Sequence, residues 1–370
     1  MERRILFLGL ILFTAAAIAE TDNNTSRQPL WSTAAEESDL LPPGDSDGGF
    51  SSMDSMLHWA ISHSDPEKLN ESAQAQERLS PSELLKRQLE IKEIMEKTKV
   101  LSDAELMKIS ISDLNNVSTS LEDRYRALHE LLELVELLDN ANDLNKLGGL
   151  SAVTQELNHY DSGIRAFAAW VLGKASQNNP TFQQQVLELG VLSRLMIMVK
   201  SDSIEEGIKA LYAVSALTRN NLASQELFYA EAGGLMLQDI LRNATIDIKL
   251  RRKAVLLLTD LAEYQLENVD KDEPPFFSDQ DLLKSVVDLT ASTDLDLQEK
   301  ALVAIKSLLQ LRTTEARVFR DFCALGDALN RMKQLLHDLM ADDDQRDYAM
   351  DVEDVRIEVE HIFHKKLVKQ

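Results

Sequence analysis

His361 and His364 stand three residues apart near the end of a 370-residue chain, a spacing that brings two imidazoles within reach of one metal ion on a helix. A protein-held zinc needs three or four such ligands, and no cysteine or third histidine lies close to them in sequence. Cys323, the single cysteine, sits among Phe319, Phe322 and Leu325, where a thiol is a small apolar side chain rather than a nucleophile. With one cysteine no internal disulfide can form. Carboxylates number 62, so no pair of them singles itself out as acid and base. The sequence holds no G-x-S-x-G elbow, P-loop, G-x-G-x-x-G or H-E-x-x-H. It reads as a protein that is not an enzyme and carries neither metal nor cofactor.

The polar residues with specific chemistry are Asn178-Asn179 and Asn220-Asn221, the second pair preceded by Arg219. A carboxamide both donates to and accepts from a partner's backbone, and a guanidinium grips a carboxylate through two parallel bonds. Asparagine also closes helix ends, so gripping and capping both stand open at these positions.

The elements that must position these residues are helices in a repeat. Ala166, Ala210, Ala254 and Ala301 each stand at the opening of an apolar helical stretch, spaced 44, 44 and 47 residues apart. Leu147-Gly148-Gly149-Leu150, Leu189-Gly190-Val191-Leu192 and Ala232-Gly233-Gly234-Leu235 punctuate them as turns into a following helix. Periods of 40 to 47 residues with helix–Gly–helix punctuation identify armadillo and HEAT arrays. Units of this kind stack because none can bury its apolar face alone, and stacking leaves a long inner surface lined by the last helix of each unit. The fold class expected is therefore an all-α, armadillo/HEAT-like superhelix. Leu128, Leu131, Leu132, Val135 and Leu138 predict one continuous helical face, and Asn268 to Ser278, broken by Pro274-Pro275, predicts an inserted loop.

Arg3 and Arg4, the uncharged run Ile5 to Phe13 and the A-x-A pattern at Ala17-Ile18-Ala19 predict a cleaved secretory signal over 1–19 and no membrane span afterwards. Residues 20–52 are rich in Ser, Asp, Pro and Gly and predict a disordered segment. Residues 53–120 predict an N-terminal helical region, including a short amphipathic element at Met53–Ile61 and a charged helix over Pro81–Lys99. The repeats are assigned to 121–340, and 341–370 to an acidic linker and a capping helix over Tyr348–Phe363. In a secreted chain the sequons at Asn23, Asn24, Asn70, Asn116 and Asn243 become candidate glycosylation sites. A net charge of −23 argues against nucleic acid, whose recognition needs a basic footprint, and favours a basic patch on a protein partner.

Three segments resemble a known family. They are Met56-Leu57-His58-Trp59-Ala60-Ile61-Ser62-His63-Ser64, then Leu137 to Leu144 with Leu147 to Leu150, and Arg165 to Gly173 with Gln177-Asn178-Asn179-Pro180. They are similar to the armadillo-type nucleotide-exchange factors of heat shock protein 70 chaperones, both the cytosolic Fes-type and Hsp70-binding-protein members and lumenal relatives that act on BiP. The resemblance implies a co-chaperone, monomeric on its own, that clamps one lobe of the chaperone's ATPase domain and favours release of ADP. The signal sequence shifts the expected client to a BiP-like chaperone in the endoplasmic reticulum lumen, although the final residues His364 to Gln370 spell no KDEL-type retrieval signal. Partner contacts are expected from Arg219, Asn220, Asn221, Asn178 and Asn179, and competition with bound substrate from Met53–Ile61. A second reading is a secreted armadillo scaffold for extended peptides. Its importin-like form needs a ladder of Trp-x-x-x-Asn, and Trp170 is the single tryptophan of the repeats.

Overall fold

A computed structural model of the chain describes residues 80–97, 101–268, 270 and 272–369. The chain divides into two compact units, residues 1–88 and 89–370. The expected signal, the disordered segment, Met53–Ile61 and the sequons at Asn23, Asn24 and Asn70 lie outside the described residues.

Among the described residues all regular structure is helical. Helix α1 (Pro81–Lys97) is followed by α2 (Asp103–Asn115) and α3 (Leu121–Leu134). Three full units come next: α4 (Leu138–Lys146), α5 (Gly149–Glu156) and α6 (Ser162–Ser176); α7 (Pro180–Glu188), α8 (Val191–Met198) and α9 (Ile204–Thr218); α10 (Leu222–Ala230), α11 (Gly233–Arg242) and α12 (Ile248–Glu267). A 3₁₀ turn (Pro275–Ser278), α13 (Gln280–Asp288) and α14 (Leu295–Gln310) form the fourth, and α15 (Ala316–Asp321), α16 (Leu325–Leu339) and α17 (Arg346–Lys369) the fifth. The long third helices α3, α6, α9, α12, α14 and α17 pack on one another in that order. The stack thus takes in α2 and α17 as well as 121–340. None of these helices is long and apolar enough to cross a membrane.

Five of the six long helices start where a short polar side chain holds a free N–H. Ser120, Asp161, Ser203, Asp247 and Asp294 accept from the first turns of α3, α6, α9, α12 and α14, and such a cap is worth about 1 kcal/mol. Small residues then let the long helices approach. Ala168, Ala169, Ala210 and Ala213 are fully buried, and a Cβ on Gly173 would lie 2.6 Å from the Tyr212 ring.

The short helices are joined by a left-handed residue, Gly148 and Gly190 in the first two units. In the third unit that residue is Ala232 (φ 63°), and Gly233 begins α11, where any Cβ would overlap the Phe228 ring. Gly148 thus supplies a positive φ, whereas Gly149 and Gly233 permit close packing.

Two further expectations are corrected. The helix predicted through Leu138 ends at Leu134, because Asn140 Nδ2 donates to the Leu134 carbonyl at 3.0 Å and to Asp103 Oδ2 at 2.7 Å. Leu138 then opens α4 and is exposed. The loop predicted over Asn268–Ser278 contains the 3₁₀ turn that replaces a first short helix, with Phe277 wholly buried. Proline at its first position allows a helix to start there but not to extend backward.

Candidate functional site

The long helices carry the side chains expected to line the inner surface. At its start Tyr125 of α3 meets Phe167 of α6 edge-on at 5.6 Å, and Phe167 meets Trp170 at 5.8 Å. The Lys209 ammonium of α9 lies 2.7 Å from the centroid of the Trp170 ring, and Lys253 of α12 lies 5.9 Å from that of Tyr212. An aromatic face attracts a cation through its quadrupole, most strongly where water is excluded, as it is at buried Lys209. The Tyr125 hydroxyl donates to Asp161 Oδ1 at 2.7 Å. Burial, reinforced by that carboxylate, pushes the phenol up to about 12.

Charged side chains on this surface are tied from one unit to the next. Arg165 donates to both carboxylate oxygens of buried Glu206, at 2.7 and 2.6 Å. Burial alone would raise the Glu206 carboxyl, but the bonds from Arg165 and Ser201 hold it below its usual range. Arg252 pairs with Asp294 and Asp296, and Arg219 with Asp260. These partners link helix starts to starts (Arg165–Glu206, Arg252–Asp294) and the end of α9 to the second half of α12 (Arg219–Asp260), so successive long helices run parallel.

The ends of the long helices hold the expected contact residues, and the structure separates them. Asn179 and Asn221 cap α7 and α10, accepting from the N–H of Phe182 and Ser224 at 3.1 and 3.0 Å. Their Nδ2 groups donate backward to Asn142 Oδ1 (3.0 Å) and Gln183 Oε1 (3.1 Å), which joins each unit to the one before. Asn179 is buried. Asn178 and Asn220 take the left-handed conformation (φ 49° and 54°) and are exposed, one residue ahead of each cap. Arg219 is partly exposed while holding Asp260.

Beside Asn178 an open cleft of about 350 Å³ is lined by Val135, Glu136, Leu138, Lys174 and Gln177, among others. Glu136 and Lys174 pair across it at 3.1 Å. Leu137 and Leu138, 56% and 55% exposed, stand together at this end as an apolar pair, although periodicity had placed Leu138 on the apolar face. The cleft can receive an apolar side chain flanked by polar groups, with the carboxamides of Gln177 and Asn178 in its lining.

The remaining candidates lie apart. His361 and His364 are exposed on α17, and among the described residues no group of three His, Cys, Asp or Glu could hold a metal. Cys323 is buried, which pushes its thiol up to about 11.

Residues 53–144 match the family described as nucleotide exchange factor Fes1, and residues 140–277 match the SIL1/FES1/HPBP1 C-terminal domain. The mouse protein named nucleotide exchange factor SIL1 is 27% identical over 286 residues, which cover 72% of this chain and 60% of that protein. The chain thus spans less than two thirds of the length of this relative. The Hsp70 nucleotide exchange factor FES1 of Coccidioides immitis is 30% identical over 179 residues, covering 47% of this chain and 81% of its own. Among solved structures, a designed armadillo repeat protein in complex with the peptide (KR)4 superposes with a TM-score of 0.54 at 16% identity, over 70% of this chain and 99% of its own. That likeness shows an armadillo fold.

Proposed function

The chain belongs to the SIL1/FES1/HPBP1 family, and from that premise we propose that it is a nucleotide-exchange factor for a heat shock protein 70-class chaperone. The observation that carries the reading is a coincidence of two ranges. The C-terminal family match, residues 140–277, takes in most of α4 and all of α5 to α12, and with them the long helices α6, α9 and α12 and the exposed Asn178 and Asn220. The working state is a monomer in the endoplasmic reticulum lumen, free of the membrane after removal of its signal, and the client is a BiP-like chaperone.

The mechanism needs no bond chemistry. The inner surface holds one lobe of the chaperone's ATPase domain, with Asn178, Asn220 and Arg219 reaching its backbone and carboxylates, and Asn179 and Asn221 fixing the turns that present them. A factor that binds the open, ADP-weak state more tightly shifts the population toward it. By linkage ADP weakens factor binding by the same ratio. Peptide capture on a tryptophan ladder is disfavoured, because Lys209 covers the Trp170 ring and the indole is nearly buried.

The test is affinity for the isolated chaperone ATPase domain with and without ADP. Binding should weaken at least several-fold when ADP is added, and Arg219→Glu should weaken it at least tenfold with the helical signal intact, since reversing a contact charge costs about 2 kcal/mol or more. Equal affinity in both nucleotide states would refute the exchange reading.

A further inference from the structure

Two sequons lie within the described residues, and both occupy the turn that enters a long helix. Asn116-Val117-Ser118 stands between α2 and α3, and Asn243-Ala244-Thr245 between α11 and α12. All six residues are exposed, Val117 to 93%. In each turn the asparagine oxygen is engaged. Asn116 Oδ1 accepts from the Ser118 N–H at 3.0 Å. Asn243 Oδ1 accepts from the Thr245 N–H at 3.0 Å and from its hydroxyl at 2.7 Å. The main chain is held as well, since Arg124 Nη2 donates to the Asn116 carbonyl at 2.8 Å. Among the described residues neither Nδ2 donates to the protein. The atom that would carry a sugar is thus left to solvent on a turn fixed through its other atoms, and a bulky addition there displaces no internal contact.

The parallel run of the long helices gives these positions a common direction. Helix starts lie along one edge of the stack and helix ends, with Asn178 and Asn220, along the other. Helices of 15 residues separate the two edges by about 22 Å at roughly 1.5 Å per residue.

We propose that Asn116 and Asn243 are oligosaccharide acceptor sites and that their glycans shield the entry edge of the array, leaving the exit edge open to the chaperone. The proposal rests on the secretory reading above. In the step required, the amide Nδ2 attacks C1 of a lipid-pyrophosphate-linked oligosaccharide. The C1–N bond forms and the C1–O bond breaks. The pyrophosphate departs on its lipid, and one amide proton passes to a base of the membrane transferase. Nothing is oxidised or reduced.

The experiment uses the full chain in secretory cells, with Asn23, Asn24 and Asn70 changed to glutamine. It is made once with its own residues 1–19 and once with a strong secretory leader in their place. Two glycosidase-sensitive mass increments are expected, Asn116→Gln and Asn243→Gln each removing one, and affinity for the chaperone ATPase domain should change less than twofold on deglycosylation. Increments seen with the substituted leader alone would uphold the sites and refute the compartment. No increment with either leader, in chains with full helical signal, would overturn the sites. A several-fold gain in affinity on deglycosylation would overturn the assignment of edges.

Discussion

The junction after α9 and the junction after α14 do the same geometric job by different chemistry. After α9, Gln183 Nε2 donates to the carbonyls of Ala216 (2.8 Å) and Arg219 (3.2 Å), and Gln225 Nε2 to that of Thr218 (2.9 Å). The groups that close the helix come from its neighbouring short helices, and Asn220 is left outside. After α14 the carbonyls of Leu309 and Leu311 are taken by Lys366 Nζ, at 2.7 and 2.6 Å, a residue more than 50 positions away on the last helix. Glu273 accepts the following N–H groups of Arg312 and Thr313 at 2.8 and 2.7 Å. The distal junction is consumed in holding the end of the stack together. The proximal junctions hold themselves and leave Asn178 and Asn220 exposed, which is why the proposed contact surface ends near α12.

That contrast is sharpest in packing. Phe182 of α7 and Phe319 of α15 are both fully buried first-helix residues. Replacing either by alanine removes a side chain worth about 3–5 kcal/mol in a core. In an array whose units touch only their neighbours, damage stays local. Phe182→Ala is expected to lower melting temperature and abolish chaperone binding, whereas Phe319→Ala should fray α15–α17 and leave binding within threefold. Equal loss of binding in both, measured alongside hydrogen exchange, would erase the distinction between the two regions.

A somewhat smaller effect is expected from Glu206→Gln, which leaves Arg165 without its carboxylate. Breaking a buried pair of this kind costs roughly 3 kcal/mol. The carboxyl sits below its ordinary value of 4.5 in the folded state, so the unfolded chain binds its proton more readily. Its stabilisation is complete above that value and is lost as pH falls through the lowered one. Denaturant melts of Glu206→Gln should therefore depend less on pH below about 4.5 than those of the parent. An unchanged acid slope would show that Glu206 contributes no such linkage.

The smallest effect separates the turns. Ala232 adopts a left-handed conformation that glycine fills in the first two units. Ala232→Gly should raise stability by about 1 kcal/mol, the ordinary strain of alanine in that region. Gly190→Ala should lower it by a similar amount in the same melts. A destabilised Ala232→Gly would mean that its Cβ is needed for packing.

Much of this architecture was legible. The spacing of Ala166, Ala210, Ala254 and Ala301 revealed the period, because close helix approach demands a small residue once per unit. The exposure of Leu137 and Leu138 was not legible, since the side chain of Asn140 ends α3 and no hydrophobic period encodes that bond. For Arg219 the position at a helix end was visible and the ion pair with Asp260 was not. A signal was present: Arg165–Glu206 and Arg219–Asp260 are each separated by 41 residues and Arg252–Asp294 by 42, one repeat length. Opposite charges at the repeat spacing mark bonds between units. Asn178 and Asn179 could not be told apart by type, and one residue of chain direction buries the second while leaving the first exposed.

The most direct measurement of the central claim is the rate at which a fluorescent ADP analogue leaves a lumenal heat shock protein 70-class chaperone, with this protein added far below stoichiometry. Trace amounts of the folded chain should accelerate release at least tenfold, and Arg219→Glu, still helical, should lose most of that acceleration. A folded chain that binds the chaperone yet leaves the release rate unchanged would contradict that claim.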